Sequence, residues 1–153
     1  MTRTLNAAAM KALFLLAMLA VPARAFAALG GDSASVALDR EALKGTLTVI
    51  AAPAYQVHEL ALASGGVREY VAPSGAVFAV TWNARKAPDL RQLLGSYFER
   101  YAAEAKVHRT GHHFLSIDTP DFLASAVLSQ RGSRGRAILR TLVPGGVTNE
   151  ELR

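Results

Sequence analysis

Cysteine is absent from all 153 residues. That excludes disulfides, thiolate metal sites, cysteine nucleophiles and the lipidated cysteine of a lipoprotein. A long apolar run is missing as well. The stretch ALFLLAMLAV, residues 12–21, falls well short of the roughly 20 residues needed to span a bilayer. No internal repeat occurs, and no low-complexity segment beyond the N-terminal region. Strong charge of one sign is lacking too. The chain carries a formal +5, but Arg3, Lys11 and Arg24 lie in the first 27 residues, which hold no acid. The rest, at a formal +2, carries no electrostatic footprint for nucleic acid.

What is present begins with a leader. Arg3 and Lys11 form a basic start, residues 12–21 an apolar core, and Pro22 breaks it. Two small-x-small motifs follow, Ala23-Arg24-Ala25 and Ala25-Phe26-Ala27. This is the pattern of a Sec-type signal peptide, expected over residues 1–27 with cleavage after Ala27, or after Ala25. The alternative is a single N-terminal anchor helix. Cleavage leaves Ala28-Leu29-Gly30-Gly31 as the start of a soluble protein in the periplasm or outside the cell. Without disulfides, such a domain must be held by its core, and about 126 residues suffice for one.

Residues 28–45 read as a flexible lead-in with a short helical turn at 36–45, and residues 46–153 as one domain. Strand patterns run over 46–52, 55–62, 67–72 and 76–82, separated by Pro53, Ser64-Gly65-Gly66 and Pro73-Ser74-Gly75. In the last of these, Phe78, Val80 and Trp82 fall on one face and Val77, Ala79 and Thr81 on the other. Both faces are apolar or small, so the strand is expected in the centre of the sheet.

A helix follows. Asp89 is a good N-cap, with Gln92 completing the capping-box pattern. Leu90, Leu93, Leu94, Tyr97, Phe98 and Tyr101 keep helical spacing. Gly95 sits inside that pattern at a cost of about 1 kcal/mol relative to Ala. Strands return over 113–118, 122–130 and 135–143, and Thr148 with Glu151 suggests a cap opening a last helix. The expected fold is α+β: a largely antiparallel sheet of six to seven strands packed on one long amphipathic α-helix.

The run REYVAPSGAVFAVTW at 68–82, the segment PDLRQLLGSYF at 88–98, ALGG at 28–31 and PGGVTNEELR at 144–153 together resemble the domain of unknown function 2844 family. These are small exported bacterial proteins. The resemblance spans nearly the whole chain after the leader and is most specific in the central block. It implies a single periplasmic or secreted domain. It implies no activity, so no catalytic residues carry over.

Candidate chemistry is sparse. His58, His108, His112 and His113 lack convergent ligand spacing, so no metal site and no cofactor is expected. Ser96 sits mid-helix rather than on a strand-to-helix elbow, and Ser64 and Ser74 belong to turns. Asp118 and Asp121 bracket Pro120 and read as a turn rather than as paired catalytic carboxylates. Trp82, Tyr97, Phe98 and Tyr101 fit core faces better than a sugar-binding platform.

The strongest interaction signal is arginine. Arg131, Arg134 and Arg136 stand in RGSRGR, read as a glycine-rich hairpin tip. They suit an anionic envelope component, such as lipid phosphates or an acidic polysaccharide. They suit better a solvated tip that guards a sheet edge by charge, which is the preferred reading of the cluster. The expected function is a non-catalytic envelope accessory or binding protein, with an envelope protein or an anionic envelope component as partner. The alternatives are a small periplasmic hydrolase and a ligand-binding module with its pocket between helix and sheet.

Overall fold

The computed structural model describes residues 29–32, 36–107, 109–110 and 113–152. The leader, His108 and His112 lie outside them.

Short turns between β-rich runs dictate a meander. Strands β1 (Thr46–Ala51), β2 (Gln56–Leu62), β3 (Gly65–Val71) and β4 (Val77–Ala84) form one, and β5 (Arg109–Thr110), β6 (Phe114–Asp118), β7 (Phe122–Ser129) and β8 (Gly132–Leu139) form another. The two meanders join where β4 pairs with β8, giving one eight-stranded sheet in the order β1-β2-β3-β4-β8-β7-β6-β5. Every pairing is antiparallel. The strand beyond the expected six to seven is the two-residue β5, too short to leave a periodic signal.

β4 is central, as its two-sided apolar pattern predicts, but its alternation is not regular. Tyr70 pairs with Ala79 while Val71 pairs with Val77, so Phe78 is the extra residue of a β-bulge. Phe78 therefore does not share a face with Val80 and Trp82. It joins Tyr70 and Ile138 on the opposite side of the sheet.

The helices cover one side. They are α1 (Val36–Leu43), α2 (Leu90–Leu94) and α3 (Phe98–Val107), with a 3-10 turn over Gly95–Tyr97 between the last two. Asp89 caps α2, its carboxylate accepting from the backbone N–H groups of Arg91 (2.9 Å) and Gln92 (3.2 Å). The expected long helix is present in part: helical turns run without a gap from Leu90 to Val107, but the α-helix is interrupted by the 3-10 turn. Gly95 adopts φ 49°, ψ −122°, a conformation for which a side chain is unsuited. The apolar stripe hid the break, because Leu93 and Leu94 before it and Tyr101 after it all still reach the sheet.

Part of the stretch read as a lead-in is packed. Leu29 and Val36 are each 1% exposed. The backbone of residues 29–31 is bonded to the end of α2 and the start of β4, through Leu29 N to Leu93 O and Gly30 N to Val77 O. α1 closes on Lys44 at φ 53° rather than on Gly45.

The chain end covers half of the other side. After a 3-10 turn at Arg140–Leu142, it crosses the sheet and buries Leu152 completely. Val143 and Val147 pack on the cluster of Tyr70, Phe78 and Ile138. Thr148 and Glu151 meet as the capping pattern suggests, with their side chains 3.2 Å apart. They close a turn and no helix opens before residue 152. The described chain is an α+β fold, and no described helix is long and apolar enough to cross a membrane.

Candidate functional site

Successive residues of a strand point to opposite faces. The registers therefore fix which side chains stand on the side away from the helices. One row across the sheet reads Glu59, Arg68, Thr81, Arg136, Ser125, Ser116, each the register partner of the next. The adjacent row reads Ala61, Gly66, Asn83, Arg134, Val127, Phe114. The tail covers the rows on the other side of Arg136, and no other described segment covers these two, although Thr81 within them is only 7% exposed. They line a hollow of about 600 Å³, with Leu152 at its border. Gly66 leaves space in the floor, since a Cβ there would meet nothing closer than Leu60 O at 3.7 Å.

The hollow is cationic at its middle. Arg68 reaches Glu59 at 3.4 Å, with both side chains well exposed, so the pair is weakly held. Arg136 donates to the carbonyl of Asn149 at 2.8 Å and so anchors the tail. Arg134 has no ion-pair or hydrogen-bond partner among the described residues. At about 4.8 Å between strands, Arg68 and Arg136 stand roughly 10 Å apart across Thr81, with Arg134 about 7 Å along β8. Thr81 and Asn83 add a hydroxyl and an amide between them. At the β6–β7 end the lining turns apolar, with Phe114 and Val127 each 45% exposed.

The arginine cluster is thus regrouped. The β7–β8 hairpin turns on Gln130 and Arg131 alone, and β8 already begins at Gly132. Arg131 stands at the exposed tip. Arg134 and Arg136 lie within the strand, on the open face, and the structure brings them together with Arg68. The sequence contained a signal for Arg68. In REYV, strict alternation separates Arg68 and Tyr70 from Glu69 and Val71. What it lacked was the register that sets β3 two places from β8.

The other described candidates lie outside the hollow's open rows. Trp82 lies on the helix side, 2% exposed, its indole N–H donating to Ser133 Oγ at 3.0 Å. Its ring crosses Gly135 so closely that a Cβ there would be 2.2 Å away. Tyr97 stacks on Phe122 with ring centroids 6.2 Å apart. Trp82 and Tyr101 are core, and Tyr97 and Phe98 pack half-buried against it.

Asp118 and Asp121 are each held by a different arginine. Arg140 donates to Asp118 at 2.6 Å. Arg100 grips Asp121 with two bonds, of 2.6 and 2.8 Å. Those bonds hold the Asp121 carboxyl far below the ordinary carboxylate range. Thr119 closes the turn by donating to the carbonyl of Phe122 at 2.8 Å.

His58 is 7% exposed on the helix side, directly opposite Glu69 in register, and Glu69 is 1% exposed. Burial pushes the His58 imidazole pKa below its usual value. Both residues are turned away from the hollow. Among the described residues no three His, Asp or Glu side chains gather in a metal-binding group.

An antiparallel sheet with helices on one side and an arginine-bearing half on the other defines an α+β protein. The family model described as Protein of unknown function (DUF2844) matches residues 25–152, and the chain belongs to that family. No curated protein and no solved structure matches it.

Proposed function

We propose that this is an exported, non-catalytic binding protein of the bacterial envelope that takes an anionic component on the open half of its sheet. The observation that carries the reading is the grouping of Arg68, Arg134 and Arg136 around one hollow, with Glu59 as the acid lining it. Guanidinium groups form short, charge-assisted and often bidentate bonds with carboxylates and phosphates. The leader at residues 1–27 supports delivery to the periplasm or beyond. A hydrolase reading finds no support in the hollow, where the described lining residues offer no histidine and Glu59 is the lone carboxylate. The hollow also lies across the sheet from the helices, not between helix and sheet.

Two measurements test the proposal. N-terminal sequencing of the exported form should start at Ala28, and an uncleaved membrane-bound product would reject export. Co-sedimentation with an acidic polysaccharide or anionic vesicles should fall as salt rises, because exposed charges are screened over about 8–10 Å. An Arg68→Gln, Arg134→Gln double variant should bind less than wild type at low salt, while Arg131→Gln should bind nearly as well. Equal binding by all three proteins would remove the site.

A further inference from the structure

We infer that the hollow holds a single-chain anionic amphiphile, with its head group at Arg68 and Arg134 and its alkyl chain across Val127 and Phe114. The inference rests on the binding role just proposed and names the ligand class of that same site.

The lining is divided by register. From Asn83 and Arg134 the row runs directly into Val127 and Phe114. Both apolar side chains are 45% exposed, although Leu115, next to Phe114 on the helix side, is only 5% exposed. A small anion would use the arginines and leave those two apolar surfaces in water. An acidic polysaccharide would gain little from them. An alkyl chain covers them and gains the hydrophobic contribution. The volume fits as well. About 600 Å³ is the size of a small-ligand site rather than of an extended polymer track. The polar end is equipped for a head group, because Arg134 has no partner among the described residues and Thr81 and Asn83 flank it. A carboxylate and a phosphate head group share this chemistry.

Isothermal titration calorimetry of the purified protein tests the inference, with dodecanoate and dodecyl phosphate kept below their micelle concentrations. The comparison probes are dodecyl maltoside, inorganic phosphate and alginate. Both anionic amphiphiles should bind, and the better of the two identifies the head group. Arg134→Gln should weaken them by about tenfold or more, the effect of losing a charge-assisted bond. Phe114→Ser should weaken the amphiphiles alone and leave any alginate binding unchanged. Both positions are exposed, and an unchanged melting temperature confirms that each variant folds. If alginate binds in an Arg134-dependent way while Phe114→Ser changes nothing, the amphiphile inference falls and the anion-binding role stands. If the maltoside binds as tightly as the phosphate ester, the head-group assignment falls. If no anion of either kind binds, both readings fall together.

Discussion

The two sides of the sheet are made from the same strands and are used differently. On the helix side, inward residues such as Leu60, Val67, Trp82, Ile117, Phe122 and Ala137 are at most 2% exposed beneath α1, α2 and α3. On the other side, the tail seals one half over Tyr70, Phe78 and Ile138, and the rows of Arg68 and Arg134 stay open. One residue along a strand moves a side chain from one role to the other. Ala137 is packed and Arg136 faces the hollow; Val67 is packed and Arg68 faces the hollow. Apolar area removed from water sets stability, so the closed side and the sealed half should carry it. The half left uncovered by the described residues should add little to stability.

Substitutions can break that division. The largest loss is expected from Phe122→Ala on the helix side. Phe122 is fully buried and stacked on Tyr97. Truncating such a residue removes its transfer free energy and leaves a cavity, for about 3–5 kcal/mol. The urea midpoint measures it. Next comes Leu152→Ala in the tail, where a fully buried leucine should cost about 2–5 kcal/mol. A negligible loss at Leu152 would mean that the tail does not seal its half of the sheet.

The α+β class, the central strand, the Asp89 cap and the aromatic core were all legible because each is written in local sequence. Alternation, helical spacing and capping act over a few residues. The bulge at Phe78, the helix break at Gly95 and the hollow were not legible, for one shared physical reason. Each depends on a partner far along the chain. The bulge shows only when β3 is laid against β4. The break leaves the apolar stripe in register. Arg68 and Arg134 are 66 positions apart in sequence and meet only through the β3–β4–β8 pairing. The arginines adjacent in RGSRGR therefore stand in two places, Arg131 at the hairpin tip and Arg134 and Arg136 within β8.

Gly95 gives a test in which the sign decides. If it were an ordinary mid-helix glycine, Gly95→Ala would stabilise the protein by about 1 kcal/mol. With φ 49° and ψ −122°, a Cβ is strained, and the substitution should destabilise by about 1–3 kcal/mol. A rise in melting temperature would restore the unbroken helix and change how the closed side is built.

The smallest effects lie where the sealed and open halves meet. Arg136 and Arg134 are two residues apart on β8 and face the same way. Arg136 donates to Asn149 O at 2.8 Å in a part-buried bond, so it belongs partly to the seal. Arg134 has no described partner and belongs to the open half. Arg136→Gln should therefore cost about 1.5 kcal/mol, the low end for a bond to a charged donor because this one is only part-buried. Arg134→Gln should stay within about 0.5 kcal/mol, as exposed substitutions do. Denaturant midpoints of the two variants, measured side by side, separate them. Equal losses would mean that Arg134 also holds structure together, and it would then be a poor choice for the residue that waits for a ligand.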